Sequence, residues 1–236
     1  MTMKLLNLRG FFWLKVTVFV CLCFFLDSAS LAQTSNDLQN WSLITLNKRL
    51  DDKWGLYLEA QNRLGQNFTG QRRLLIRPAL VYKLDSHTAL WLGYAWTPSF
   101  TDGDLNNESR IWQQIAHNRH LTEKLEAFSY LRLEERFIEG ADSMSLRQRM
   151  LLGLKYPIFN SKSWKWIAFD EIFINYYSVD NGPAAGLDQN RIFLGVEKTF
   201  NSHTSLTAGY LLDHILGAAA DDQLIHSIRT QLNINF

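Results

Sequence analysis

Cysteine is nearly missing from this chain. The only two, Cys21 and Cys23, sit inside an apolar run near the start. Everything after residue 32 is free of thiol, which excludes a disulfide framework and any cysteine-based metal site there. Excess charge is missing too: Lys and Arg number 24, Asp and Glu 23, so there is no basic field to attract nucleic acid. No apolar run beyond the first 32 residues approaches the roughly 20 that a membrane-spanning helix needs. There is no Walker loop, dinucleotide fingerprint or nucleic-acid motif. His117 and His120 are close in sequence, but on a strand they fall on opposite faces and cannot chelate together. No cofactor, metal ligand or catalytic residue is therefore expected.

What is present begins with a leader. Lys4, Arg9 and Lys15 precede an uncharged apolar run from Val16 to Leu26, and Ser30-Leu31-Ala32 supplies small residues at the −3 and −1 positions. This pattern reads as a secretory signal peptide over residues 1–32, cleaved before Gln33. Residues 33–236 contain no linker, no Pro- or Ser-rich tract and no composition break, so they read as one domain.

That domain alternates. Segments of about 10 to 14 residues recur at 41–50, 54–64, 72–84, 88–97, 108–121, 125–138, 146–158, 164–177, 190–200, 204–215 and 224–236. Short connections such as Asp51-Asp52-Lys53, Asp85-Ser86-His87 and Asn201-Ser202-His203 take turns with longer ones such as Pro98 to Asn107 and Ser178 to Gln189. A soluble sandwich alternates as well, but its strands are shorter and nothing sorts its connections by length. The pattern predicts an all-β fold: a transmembrane antiparallel up-and-down β-barrel in the bacterial outer membrane, surrounded by its lipid. Such barrels have even strand numbers. Twelve strands are therefore expected, with Gln33 to Asn40 as a poorly patterned first one and ten strands as the alternative. Trp54, Tyr82, Trp96, Tyr156, Trp164 and Trp166 fall near segment ends and suit interfacial girdles. The last segment alternates strictly and stops on Phe236, which resembles the recognition signal read by the barrel assembly machinery.

The stretch YLRLEERF, Tyr130 to Phe137, then poses the question of which face is inside. A bare charge near the lipid midplane costs a few kcal/mol, so the charged face must line the lumen. Parity collects Glu59 and Arg63, then Arg73 and Arg77, Glu108 and Arg110, and Arg132, Glu134 and Arg136 on that side. It continues through Arg147, Arg149, Glu171, Arg191, Glu197 and Arg229, ten arginines against five glutamates. Of the adjacent pair Asp170 and Glu171 only one can follow the alternation, unless a bulge turns both inward.

The same residues resemble a family catalogued as domain-of-unknown-function family 2490. Its pattern of an early Trp, Glu-x-Arg-x-Trp-x-Gln, Arg-x-Glu-x-Arg, Arg-x-Arg, Glu and Asn-Arg is matched here by Trp41, Glu108 to Gln114, Arg132 to Arg136, Arg147 to Arg149, Glu171 and Asn190-Arg191. The resemblance implies an outer-membrane barrel and no particular activity.

Three functions fit these residues. A narrow pore would favour small anionic solutes through its uncompensated arginines. A structural barrel would use Arg–Glu pairs to pack the lumen and leave interaction to its loops. A lipid-active enzyme would need a Ser–His pair; His203-Thr204-Ser205 is the nearest approach, with no partner carboxylate evident.

Overall fold

Alternation of outward apolar and inward polar side chains carries the strands of this protein. The structure, a computed structural model, describes residues 35–101, 104–216 and 222–236. The expected signal peptide lies outside the described residues. The strands are β1 (Ser35–Arg49), β2 (Trp54–Gly65), β3 (Gly70–Lys83), β4 (Thr88–Trp96), β5 (Ser99–Thr101), β6 (Asp104–Asn106) and β7 (Glu108–His120). They continue as β8 (Glu126–Ile138), β9 (Ser145–Pro157), β10 (Trp164–Asn175), β11 (Gly186–Thr199), β12 (Thr204–Ile215) and β13 (Gln223–Asn235).

Eleven of these close into a barrel in chain order, and β5 and β6 form a small hairpin outside it that joins β3 at Arg73 and Ser99. Neighbours run antiparallel, except that β1 and β13 close the ring in parallel, from Ser35 beside Gln223 to Asn47 beside Asn235. The expectation of twelve strands is therefore wrong, as is the alternative of ten, and the barrel is not antiparallel throughout. Ser35 to Asn40 form no separate strand; they extend β1, paired with β13 from Ser35 beside Gln223 to Asn40 beside Ile228. An odd number of strands brings the first and last together pointing the same way, and parallel pairing is only slightly weaker per residue.

The two ends of the barrel differ. One carries, among the described residues, connections 66–69, 139–144 and 176–185 and the β5–β6 hairpin. In the first of these Gln66, Asn67 and Phe68 all have positive φ, between 51° and 71°, and the Gln66 N–H is held by Asp37 Oδ1 at 2.9 Å. The other end carries five short turns built to one plan. A side-chain oxygen accepts the backbone N–H two residues on and, in four of the five, the next one as well. Asp51 Oδ1 takes Lys53 and Trp54, Asp85 Oδ1 takes His87 and Thr88, and Thr122 Oγ1 takes Lys124 and Leu125. Ser161 Oγ takes Ser163 and Trp164, and Asn201 Oδ1 takes His203. The short polar side chain mimics a backbone turn, which is why Asp, Asn, Ser and Thr occupy these positions.

The barrel is apolar outside and polar inside. Ile44, Leu56, Leu80, Leu92, Ile115, Leu131, Leu152, Leu194 and Ile228 are exposed on the outer wall, while Glu134, Asp213, Ser145 and Ser227 are fully buried. Trp54, Tyr82, Tyr156, Trp164 and Trp166 stand near the short-turn end, and Trp96 near the other.

Candidate functional site: the charged lumen

Strand register decides which charges meet. Glu134 on β8 lies opposite Arg147 on β9 and Trp112 on β7. Its carboxylate accepts Arg147 Nη2 at 2.7 Å and Arg149 Nη1 at 2.8 Å, with Arg110 Nη1 at 3.7 Å and Arg132 Nη1 at 3.9 Å. Charge-assisted bonds to a planar fork are strong and directional, so this cluster fixes four side chains around one carboxylate.

The other glutamates act as smaller bridges. Glu108 accepts Arg110 Nε at 2.7 Å and Arg136 Nε at 2.6 Å, spanning a pair of arginines that face each other across β7 and β8. Glu171 accepts Arg149 Nη2 at 2.5 Å and the Tyr130 hydroxyl, with Arg191 Nη1 at 3.8 Å. Glu59 accepts the Tyr57 hydroxyl at 2.6 Å and Arg77 Nη1 at 3.4 Å, and Glu197 accepts Lys155 Nζ at 2.9 Å.

Three arginines of the ladder stand apart. Arg63, Arg73 and Arg229 have no carboxylate within 4.0 Å among the described residues. Aromatic rings hold two of them: the Arg63 guanidinium sits 3.5 Å from the Trp41 ring centre, and Arg229 lies 5.3 Å from that of Phe193.

These side chains divide the lumen. Towards the short turns is a cavity of about 590 Å³ faced by Glu59, Arg77, Arg132, Arg149, Glu171, Arg191, Glu197 and Arg229. Towards the long connections is one of about 790 Å³ faced by Arg73, Arg136 and Arg147; Arg63 faces both. Glu134, Arg110, Trp112 and Phe173 face neither, each no more than 4 % exposed, and form a partial septum built from β7, β8 and β10. Gly93 makes room for it, because a Cβ there would overlap the Trp112 indole.

Glu171 is the inward member of the adjacent acidic pair. Asp170 turns outward and accepts Asn190 Nδ2 at 2.6 Å. The register shift in this region falls between Phe173 and Ile174, too far along to turn both inward. His203 and Ser205 do not meet: the His203 ring is 2.9 Å from the Asn235 carbonyl, and Ser205 Oγ accepts Asn233 Nδ2. Asp213, absent from the ladder read in the sequence, is fully buried against Arg191 Nε (3.1 Å) and Gln189. It shares parity with Ser205 and Thr207, and that alternation is the signal that identifies it. Its charge, with that of Asp188 against Arg147 at 3.1 Å, reduces the cationic excess that the ladder alone implies. Phe236 ends the chain with its N–H on the Asn47 carbonyl at 2.8 Å and its ring exposed.

Residues 38–224 match the profile of a family described as protein of unknown function (DUF2490). An uncharacterized protein of Methylorubrum extorquens is 25% identical over 209 residues, which cover 87% of this chain and 90% of that protein. Among solved structures, the KdgM porin aligns over 75% of this chain and 89% of its own, with 12% identity and a TM-score of 0.46. A bacterial polysaccharide outer membrane secretin aligns over 79% and 66%, with 10% identity and a TM-score of 0.46.

Proposed function

We propose, for a chain that belongs to the DUF2490 family of proteins of unknown function, that it is an outer-membrane barrel forming a narrow, anion-preferring pore. The inverted polarity of the wall supports the membrane part. On β3 the outward side chains from Tyr82 through Leu80, Pro78 and Ile76 to Leu74 are apolar. Those nine residues rise about 21 Å on a strand tilted ~40°, close to the ~25 Å apolar band of outer-membrane barrels. Polar groups that do face outward are paired, Asp170 with Asn190 and the Tyr210 hydroxyl 2.5 Å from His226 Nδ1. In lipid a sheet satisfies every backbone group only as a closed ring, and the β1–β13 seam provides that closure. Phe236 would then serve the assembly machinery at the short-turn, periplasmic end.

The observation that carries the pore reading is the placement of Arg63, Arg73 and Arg229. They leave positive charge facing two chambers of about 590 and 790 Å³ while the Glu134 carboxylate is already engaged. Rings of such charge select anions. A lumen built only for packing would pair them.

Single-channel recording of the refolded protein in a planar bilayer under a salt gradient tests this. Discrete steps with an anion-biased reversal potential are expected, and Arg229→Gln should reduce the bias. A second reading, a structural barrel with a packed lumen, is favoured by the septum of Glu134, Trp112 and Phe173, all at 0 % exposure. Folded protein that conducts nothing would select it over the pore.

A further inference from the structure

Three pairs of arginines face each other directly across neighbouring strands: Arg110 with Arg136, Arg132 with Arg149, and Arg63 with Arg73. Like charges set directly opposite destabilise a sheet. In the first pair Glu108 accepts hydrogen bonds from both members. In the second, Glu134 lies within 4 Å of both. The third pair has no carboxylate within that distance among the described residues.

The remaining acids of its chamber are engaged elsewhere. Asp188 accepts Arg147 and Asn175; Asp213 accepts Arg191 and Gln189. Asp37 accepts the Gln39 amide and the Gln66 N–H, with Arg72 Nε at 4.0 Å. Arg63 is meanwhile fixed in place. Its guanidinium lies over Trp41, whose Nε1 is anchored on Gln39 Oε1 at 2.7 Å, and its Nη2 donates to Gln61 Oε1 at 3.1 Å. Its Nε is buried with no hydrogen-bond partner.

We infer that Arg63 and Arg73 form a binding site for a solute oxyanion, which takes between them the place that Glu108 takes between Arg110 and Arg136. Two guanidinium forks offer paired donors that match the separate oxygens of a carboxylate, sulfate or phosphate group, a geometric match that a single spherical halide lacks. The chamber of about 790 Å³ at the long-connection end has room for a small organic acid around that group. The inference builds on reading the lumen as a solute compartment, but binding requires only access to this one chamber, not conduction through the septum.

The test is titration of the full refolded protein in detergent with sodium sulfate, sodium phosphate and sodium acetate, against sodium chloride at equal ionic strength. Calorimetry and the thermal midpoint are the readouts. Wild type should bind an oxyanion saturably, and Arg63→Gln or Arg73→Gln should weaken it tenfold or more. Without ligand, Arg73→Gln should match or exceed wild-type stability, since it removes a repulsion. Arg73→Lys keeps the charge but not the fork, and should fold and bind weakly; it serves if the glutamine variant does not fold. Equal binding in wild type and variants, binding no tighter than chloride, or lost stability with unchanged binding would each overturn the site. Saturable oxyanion binding by a barrel that conducts nothing would sink the pore and keep the site; an anion-selective current with no saturable binding would do the reverse.

Discussion

Glu134 lies within 4 Å of four guanidinium groups and has no exposure to solvent. Removing one partner of a buried ion pair leaves uncompensated charge and costs about 3–5 kcal/mol. Glu134→Gln should therefore lower stability by that order, read from urea unfolding followed by tryptophan fluorescence. Glu197→Gln, which releases only the partly exposed Lys155, should cost clearly less. If the two variants unfold alike, Glu134 is not the centre of the network. Parity identified Glu134 as inward in the sequence, since Arg132, Glu134 and Arg136 are two apart on a strand. It could not identify which of the ten arginines would converge on it, because that depends on the register of β7, β8 and β9. Arg63 and Arg73 show the same limit: each reads as one more inward arginine until pairing sets them face to face.

At the scale of the element, the short turns make a controlled comparison within one molecule. Their amides are held by carboxylates at Asp51 and Asp85 but by neutral oxygens at Thr122, Ser161 and Asn201. The Trp54 and Lys53 amides hold the Asp51 carboxyl below its ordinary value, and the His87 amide does so for Asp85. A carboxyl lowered by folding stabilises the folded form above its unfolded pKa, and that contribution fades as pH falls through the folded value. Below about pH 4, protection of the Lys53, Trp54, His87 and Thr88 amides against hydrogen exchange should drop, while that of Lys124, Ser163 and His203 should hold. A uniform drop would show instead that the whole barrel end opens. The polar triplets at these turns were legible as turns, and their common acceptor plan follows from residue type. The β5–β6 hairpin was not legible, because its strands are three residues each and too short to show a period. The septum has its own element-scale requirement: Gly93→Val on β4 would press on the Trp112 indole and lie 2.7 Å from the Pro78 carbonyl. A loss of about 1–3 kcal/mol is expected from such overpacking, seen as a lower temperature for the heat-induced gel shift; an unchanged shift would mean that Trp112 can leave the septum freely.

At the scale of the whole molecule, all eleven segments with a clear period became barrel strands, because lipid-thickness length and alternation are local properties that one sequence displays. Strand number is the opposite case, eleven in the ring where twelve were expected. Closure is a global property, and the rule of even counts predicts twelve where eleven segments carry a period. The seam can be tested because no cysteine follows residue 32. Ser42 and Thr230 are register partners across β1 and β13 and both point outward. Ser42→Cys with Thr230→Cys should form a disulfide under mild oxidation in the folded barrel, since paired strand positions lie within the ~4.4–6.8 Å Cα separation a disulfide requires. Failure to cross-link in a properly folded double variant would reject the parallel closure.

That seam also decides which way the first and last strands of the ring face. β1 starts at the mouth carrying the long connections, whereas β13 finishes at Phe236 beside the tight turns, so an odd ring separates its termini by its full height. In a membrane, an epitope tag fused immediately ahead of Ser35 would be displayed to one compartment and a tag fused after Phe236 to the other, making the molecule a two-sided carrier where an even-stranded barrel presents both ends on the same side.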